Sequence, residues 1–320
     1  RISKIQNKKK SPFYSIDKSI AGESYQKKVS KVSSFLKRNK YDYLFITAPE
    51  NVAWLLNIRG NDSPTSPIPN SNLLLTKEKN VFLIVEKNKT TKLLSEKKLK
   101  QNQIVDPRYI LDFFEKLKKG TILIDEKTCS LYLEKVIEKK LKITKKEDPI
   151  YILKSIKNNI EIKNMIKAHV IDGVALTKFI YWIKNLKKLN ITEVDAQNKL
   201  EKIRRANSKY LFPSFNTIAG SGKNGAIVHY RATKNNTKPL RKNEIFLCDS
   251  GGQYKFGTTD VTRTICFENQ NKNIKNIFTN VLKGHIAVAQ TDLNKKKTGK
   301  LIDKDARKFL KKDRLDYNHG

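Results

Sequence analysis

The sequence predicts an α/β domain followed by an α+β domain, and three observations support this prediction. The chain has 320 residues, which is enough for about two domains of ordinary size. Short apolar runs alternate with helix-period segments in residues 21–147, as is typical of an α/β layer. Residues 148–320 instead contain two helical segments, a glycine-rich group of strands and two more helical segments. We interpret residues 1–20 as a linker or the remnant of an upstream domain.

The α/β domain is predicted from the spacing of its apolar residues. Apolar side chains that recur every three or four residues indicate helices, and short uninterrupted apolar runs indicate buried strands. Polar residues 77–80 separate two such runs and indicate a hairpin. We find no phosphate-binding loop and no dinucleotide-binding glycine pattern, so this domain is expected to be a scaffold or to gate the substrate. The predicted helices are residues 25–36, 51–58, 109–118 and 130–141, and the predicted strands are residues 43–46, 73–75, 81–85 and 121–124.

The second domain follows a charged segment that ends at Pro149, and we place the boundary between residues 147 and 148. Apolar residues between Ile162 and Leu186 recur at helical spacing and predict a long amphipathic helix. Thr192 and Asp195 form a capping-box pattern that opens a second helix. Residues 212–220 lead into a tight turn that we expect to be formed by Gly220, Gly222 and Asn224-Gly225. Strands are then expected at residues 226–230, 245–248 and 258–264, and helices at residues 273–290 and 300–311.

The chain is strongly basic, with 66 Lys and Arg against 31 Asp and Glu and a formal net charge of +35. Such an excess would suit a polyanionic partner. The lysines are spread over the whole length, however, and accompany abundant Asn and Ile, as a genome-wide compositional bias would produce. We favour the compositional explanation, and a nucleic-acid partner is therefore not expected.

Cysteine content and hydropathy favour a reducing compartment, and we expect the cytoplasm. Cys129, Cys248 and Cys266 are too few and too scattered for a disulfide framework or a cysteine zinc site. No apolar run approaches the ~18 residues of a membrane span, so no membrane partner is expected. The chain begins with Arg1 and stops at Gly320 in a histidine-glycine stretch, and we interpret it as a fragment.

Asp249 and Asp260 are the candidate metal ligands. Each adjoins an apolar or β-branched run, where an unpaired buried charge would be costly. A hairpin that turns at Tyr254 and Lys255 would place the two carboxylates directly opposite each other, and a divalent cation between them would relieve their repulsion. The alternative is an ordinary surface turn after Asp249, with Asp260 paired to Arg263.

His229 and His319 are the candidate catalytic histidines. His229 follows an apolar run and is expected at the edge of the same sheet, where a neutral imidazole could hold or polarise a substrate carbonyl. A buried structural histidine is the equally good alternative. His319 is uninformative from composition alone, and His169 and His285 are interpreted as structural because they lie in apolar helices.

The two aspartate segments closely resemble the metal-binding hairpin of the aminopeptidase P family, the Xaa-Pro aminopeptidases, whose catalytic domain has the pita-bread fold. Other segments fit the family in the same order, and the resemblance covers residues 21–320. It implies a creatinase-like α/β domain followed by a partial pita-bread catalytic domain. The matching segments are residues 249–254 and 257–264 (hairpin), 51–60 (middle domain), 224–230 (substrate-histidine strand), 281–288 (a catalytic-domain helix) and 315–320 (the start of an HGTGHG motif).

The resemblance implies two metal ions, commonly manganese, held by two Asp, one His and two Glu. Asp249 and Asp260 match the two aspartates, and His229 matches the histidine near the bound peptide. His319 falls on the first histidine of HGTGHG, a catalytic position that is not a metal ligand. The family's ligand histidine and both glutamates have no counterpart in this sequence, so the chain departs from the pattern at three of five ligands.

The implied activity is release of the N-terminal residue from peptides with proline at the second position, through attack by a metal-bridging hydroxide. With the ligand set incomplete, we expect the chain by itself to be inactive. Two alternatives stay open: a non-enzymatic relative that binds a protein or nucleic acid, and a prolidase or creatinase. Members of the family often dimerise, which makes a homodimer a partner to consider.

Overall fold

The structure is a computed structural model that describes residues 11–319. It divides into two compact units, which we describe separately. Unit 1 contains the described residues up to Ala175 together with Arg204–Asn216 and Gly251–Asp260. Unit 2 contains Leu176–Ile203, Thr217–Ser250 and the described residues from Val261 onward. The first ten residues of the predicted linker lie outside the described residues, and the predicted boundary at residues 147/148 stays a prediction.

The helices and strands follow the predicted order closely. The helices are α1 (Lys18–Ala21), α2 (Tyr25–Arg38), α3 (Pro49–Leu56), α4 (Thr91–Ser95), α5 (Ile110–Glu115), α6 (Leu131–Glu138), α7 (Ile150–Ser155), α8 (Asn159–Lys184), α9 (Glu193–Arg205), α10 (Lys272–Ala289) and α11 (Gly299–Lys312). The strands are β1 (Tyr14–Ser15), β2 (Tyr43–Ile46), β3 (Ile58–Arg59), β4 (Asn72–Thr76), β5 (Val81–Ile84), β6 (Ile104–Val105), β7 (Thr121–Ile124), β8 (Lys142–Lys145), β9 (Tyr210–Pro213), β10 (Ile218–Ser221), β11 (Ile245–Ser250), β12 (Gly252–Tyr254), β13 (Gly257–Thr258) and β14 (Val261–Cys266).

A six-stranded sheet in the order β6-β5-β4-β2-β7-β8 forms the centre of unit 1. Strand β2 pairs antiparallel with β4 and parallel with β7, so the α/β layer and the β4–β5 hairpin are confirmed. Alternate residues of β2 enter two different cores, with Leu44 and Ile46 in one and Tyr43 and Phe45 in the other. The sheet is therefore covered on both faces, which explains why its strands have uninterrupted apolar sequences.

Strand β8 is missing from the sequence prediction, which treats the end of this segment as part of a charged link. The strand is Lys-Ile-Thr-Lys, and its two lysines are exposed. It pairs in parallel with β7 at the edge of the sheet. Lysines are common on edge strands because they discourage pairing with other molecules, and they hide the apolar signal on which strand prediction depends.

Unit 1 also contains a three-stranded sheet, β13-β12-β9, next to a buried ion pair. The Arg204 guanidinium donates from Nε to Asp172 Oδ1 over 2.7 Å and from Nη2 to Oδ2 over 3.0 Å. The hydroxyl of Tyr254 on β12 donates to the same carboxylate over 2.7 Å. Both charged side chains are at most 1% exposed, so the pair and the tyrosine are a desolvated network that fixes β12.

The core of unit 2 lies between the sheet β10-β11-β14 and two helical segments, the end of α8 and α9. Phe179 and Ile183 of α8 and Leu200 of α9 are buried against Phe246 and Cys248 of β11. The predicted capping box is confirmed, since the Thr192 hydroxyl donates to Asp195 and accepts from its backbone N–H. Within residues 11–319, no helix combines the length and hydrophobicity needed to cross a membrane.

The long helix α8 is confirmed, but its apolar stripe is only partly covered. In the half that belongs to unit 1, Ile162, Ile166, Val170 and Val174 are 43–62% exposed. Helical spacing identifies residues that share a face, and it carries no information about whether another segment covers that face. The three cysteines are present as thiols.

Candidate metal and peptide site

Strand β11 is the central strand of its sheet and carries the first predicted metal ligand. It pairs antiparallel with β10 on one side and with β14 on the other. Asp249 lies opposite Ile218 and Thr262, not opposite Asp260, so the predicted register is wrong. The predicted turn is also displaced, because Tyr254 pairs with Gly257 and the turn residues are therefore Lys255 and Phe256. The predicted strand 258–264 is correspondingly divided into β13 and β14.

The carboxylate of Asp249 lacks the partners that a buried charge needs. The residue is half-buried, and its Oδ1 atom is shielded from solvent without any hydrogen-bond partner. A buried acceptor without a donor costs about 1–3 kcal/mol, and more when it carries charge. A bound cation would remove this cost, so the donor chemistry at Asp249 fits a metal ion.

Asp260 is exposed and directly precedes β14. It belongs to unit 1, whereas Asp249 belongs to unit 2. Within the described residues 11–319, no three or more His, Cys, Asp and Glu side chains are grouped so that they could hold a metal ion. The assignment of Asp249 and Asp260 as joint ligands therefore stays a prediction from the sequence.

His229 does not lie on a strand, and this prediction is wrong. Gly222–Ala226 form a 3₁₀-helix, and the residues after it form a turn closed by the Tyr230 N–H donating to the Ile227 carbonyl over 3.1 Å. His229 is exposed in this turn with φ +56°, in the left-handed region that non-glycine residues rarely adopt. An apolar run next to a histidine resembles a strand in sequence, but here its residues face solvent.

A close backbone contact explains why the chain turns before His229. A Cβ atom at Gly220 would lie 2.7 Å from the Gly225 nitrogen, so the 3₁₀-helix packs directly on the backbone of β10. Only glycine permits this approach. The glycines predicted to form a tight turn are therefore confirmed in that role, and the residues that follow them do not pair with the sheet.

The structure brings His229 and His319 together. Their ring centroids are 5.9 Å apart, and the rings are almost perpendicular at 88°. Both residues belong to unit 2. Arg307 of α11 fixes the segment around His319, because its Nη2 donates to the His319 carbonyl over 2.8 Å and its Nη1 donates to the Tyr317 carbonyl over 3.1 Å. Neither His169 nor His285 is buried, and the His169 ring contacts the Met165 carbonyl one turn earlier in α8.

Sequence reasoning misses a buried carboxylate beside this turn. Glu193, the first residue of α9, is 0% exposed, and the Tyr230 hydroxyl donates to its Oε2 over 2.8 Å. Burial, reinforced by this hydrogen bond, raises the pKa of Tyr230 to about 12. The sequence offers no signal for Glu193, because a glutamate in the first turn of a helix is ordinarily a solvated residue that complements the helix dipole.

Comparisons with known proteins identify the family to which each half of the chain is similar. Residues 5–161 match the creatinase/prolidase N-terminal domain, and residues 163–320 match metallopeptidase family M24. Residues 163–320 belong to metallopeptidase family M24. The creatinase-like domain and the pita-bread domain predicted from sequence are thereby confirmed, as is the resemblance to Xaa-Pro aminopeptidases.

Among curated M24 relatives, the chain is similar to a probable Xaa-Pro aminopeptidase P of Aspergillus niger, with 36% identity over 94% of this chain and 51% of the relative. It is 35% identical to the Xaa-Pro aminopeptidase ApepP of Drosophila melanogaster over 94% of this chain and 50% of the relative. The chain thus spans about half the length of the curated relatives it matches. Among solved structures, the X-prolyl aminopeptidase of Caenorhabditis elegans, described as a cytosolic enzyme with a di-nuclear active site, matches with a TM-score of 0.85 and 27% identity over 97% of this chain and 52% of that one.

Proposed function

We propose that the protein is a metal-dependent aminopeptidase that releases the N-terminal residue from peptides with proline at the second position. The observation that carries this proposal is the half-buried Asp249 carboxylate, whose shielded Oδ1 atom has no donor. The sequence resemblance to the family's metal-binding hairpin supports the proposal, because Asp249 matches one of its two aspartates. The names of the curated relatives support the same substrate class, because those proteins are Xaa-Pro aminopeptidases.

Asp249 and Asp260 are the proposed metal ligands. The di-nuclear active site of the Caenorhabditis elegans relative supports two metal ions, and manganese is the metal we propose. When bound, two divalent cations would lower the pKa of a water molecule so that it can attack the peptide carbonyl at neutral pH. Two aspartates are too few donors for a stable pair of ions, so we propose that the site requires further ligands.

His229 and His319 are the proposed catalytic histidines, and His229 is also the proposed substrate-binding residue. The His229 imidazole is exposed, which lets it donate a hydrogen bond to the oxygen of the peptide bond under attack. The ring contact with His319 restricts the orientation of His229. Their role is to orient the peptide and to stabilise negative charge as it develops on the carbonyl oxygen.

The location proposed for the protein is the cytoplasm. Its three cysteines are present as thiols, and two of them, Cys129 and Cys248, are buried. Burial in apolar surroundings, the main cause, raises the pKa of the Cys129 thiol to about 11, so this thiol is unreactive at neutral pH. The Caenorhabditis elegans relative, described as a cytosolic enzyme, supports the proposal.

The decisive experiment measures release of the first residue from an Xaa-Pro tripeptide by the full-length protein encoded by the gene that contains this sequence. We expect turnover with added manganese and a loss of at least about 100-fold in Asp260→Asn and in Asp249→Asn, because each variant removes a ligand. Asp292→Asn, which changes an exposed aspartate of unit 2, is the matched control and should keep full activity. Unchanged turnover in Asp260→Asn would refute the assignment.

A further inference from the structure

Glu193 is the most completely hydrogen-bonded buried carboxylate of unit 2. Its Oε1 atom accepts from the Ser221 N–H over 2.8 Å and from the Asn224 side-chain amide over 3.0 Å. Its Oε2 atom accepts from the Tyr230 hydroxyl over 2.8 Å and from the Lys238 N–H over 2.9 Å. Four donors surround one charge that has no contact with solvent.

These donors come from three places along the segment that contains His229. Ser221 and Asn224 precede His229, Tyr230 follows it directly, and Lys238 ends the segment. The Asn224 amide also donates to the Tyr230 hydroxyl over 2.8 Å, which closes the network. One carboxylate thus ties the beginning, the middle and the end of residues 221–238 to the first turn of α9.

The exposed residues of this segment have few other attachments. Residues 226–229 are all exposed, whereas Asn224 and Tyr230 on either side of them are buried. The left-handed backbone at His229 costs on the order of 1 kcal/mol and persists only where neighbouring residues enforce it. The enforcing neighbour is Tyr230, which is 7% exposed and whose hydroxyl is held by Glu193.

We propose that Glu193 is a positioning residue that sets the backbone conformation and the ring position of His229. This inference rests on the proposed function, since it concerns how His229 is presented to the peptide. Glu193 has no contact with solvent and acts through Tyr230 and Asn224. A charged carboxylate suits this task because it accepts from four donors at once, whereas a glutamine would turn an N–H group toward one of the N–H donors.

The direct test is NMR of the four histidine rings of the chain, with the His229 signal assigned by its loss in His229→Gln. In Glu193→Gln we expect the His229 signal to shift or broaden and the cross-relaxation between the His229 and His319 rings to disappear. The His285 signal from α10 should stay in place, which separates a local effect from unfolding. Unchanged His229 and His319 signals in a folded Glu193→Gln protein would overturn the proposal.

Two further variants keep the test decisive. Tyr230→Phe removes a single donor to Glu193 and should shift the His229 signal. This variant tests the proposal even if Glu193→Gln fails to fold. A wild-type His229 signal in Tyr230→Phe would then refute the proposal. Glu244→Gln is the matched control. The Glu244 carboxylate accepts from the Ser221 hydroxyl over 3.0 Å and lies against Gly222, seven residues before His229. We expect the His229 signal of Glu244→Gln to be that of the wild type.

Kinetics of the full-length protein distinguish failure of this inference from failure of the proposed function. Glu193→Gln should lower kcat/KM by about 10- to 100-fold, as is common when a supporting partner is lost. In the His229→Ala background the same substitution should cause no further loss, because Glu193 acts through His229. An equal loss in both backgrounds would contradict the positioning role. A wild type that hydrolyses no Xaa-Pro peptide would refute the function and leave the NMR test valid.

Discussion

Buried charges are the informative features at the scale of single residues, because each must be neutralised or hydrogen-bonded. Asp172 is paired with Arg204, and Glu193 is surrounded by four donors. Asp249 differs from both, since one of its oxygens is shielded and has no donor. The first two carboxylates are satisfied by the chain itself, and Asp249 is the one that a metal would complete.

Lys28 on α2 is a buried cation that makes the stability of the protein depend on pH. It is 1% exposed, and its Nζ atom donates to the Trp54 carbonyl over 3.0 Å and to the Asn57 side chain over 2.8 Å. Burial lowers its pKa from 10.5 to about 8. Between these two values the unfolded chain binds more protons than the folded protein, so folding becomes more favourable as pH rises.

We therefore expect the free energy of unfolding of the wild type to rise relative to that of Lys28→Met between pH 8 and 10.5. The slope should reach at most about 1.4 kcal/mol per pH unit. Urea denaturation at several pH values measures it. Lys37→Met, at an exposed position of the same helix, is the control and should show no such trend. A constant difference between wild type and Lys28→Met would contradict the expectation.

At the scale of elements, the segment from β11 to β14 depends on a glycine, Gly251, at the point where the chain passes from one sheet to another. Strands β11 and β12 belong to different sheets, and Gly251 separates them. A Cβ atom at Gly251 would collide with the Thr259 carbonyl and with the Ser214 hydroxyl. Ser214 donates to that carbonyl over 2.8 Å, and its N–H donates to the Gly251 carbonyl over 3.1 Å. The glycine is thus required by crowding in unit 1.

Gly251→Ala should lower the free energy of unfolding by about 1–3 kcal/mol, as is usual when extra volume enters a packed site. Gly173→Ala is the matched control in the same unit, because nothing lies within 4 Å of its added Cβ atom in α8. That substitution should stabilise the protein by about 0.5–1 kcal/mol, since alanine favours helix more than glycine does. Thermal or urea denaturation of both variants measures these changes. Equal changes in the free energy of unfolding would show that Gly251 is not required by crowding.

Helices and strands whose apolar residues recur regularly are predicted well, whereas elements that depend on contact with another part of the chain are not. Helices α2, α8, α9, α10 and α11 and strands β2, β4, β5, β7 and β11 agree with the sequence prediction within a few residues. Strand β8 is missed because its lysines hide the apolar pattern that indicates a strand. The turn at His229 is missed because the apolar residues before it resemble a strand in sequence. The register between β11 and β14 is missed as well, since it depends on where the chain turns.

At the scale of the whole molecule, the predicted site residues are divided unequally between the two units. The described part of unit 1 is built around a covered six-stranded sheet, which suits a scaffold. Unit 2 contains Asp249, His229 and His319, three of the four predicted site residues. Positive charge is spread along the whole chain, with a net +35, and the compositional explanation for it stays a prediction.

The 320-residue chain by itself should bind manganese weakly and should not hydrolyse Xaa-Pro peptides. Only two aspartates are proposed as metal ligands, and the described residues contain no group of three or more His, Cys, Asp and Glu side chains that could hold a metal ion. Calorimetric titration with manganese chloride measures the binding, with Asp249→Asn as the comparison. Tight binding of two ions by the unmodified chain would show that further ligands lie within it.

The sequence by itself determined the family and the order of the two family domains, because these depend on local periodicity and on short motifs that are recognisable without the fold. The residues of the site stay predictions. Tertiary structure alone decided the strand register that places Asp249 opposite Thr262 and the left-handed turn at His229. It also decided the contact between the His229 and His319 rings and the burial of Glu193. The contact of His229 with His319 and the burial of Glu193 join segments that lie far apart along the chain. Their geometry follows from packing and from the hydrogen bonds of buried polar groups, which no local pattern encodes.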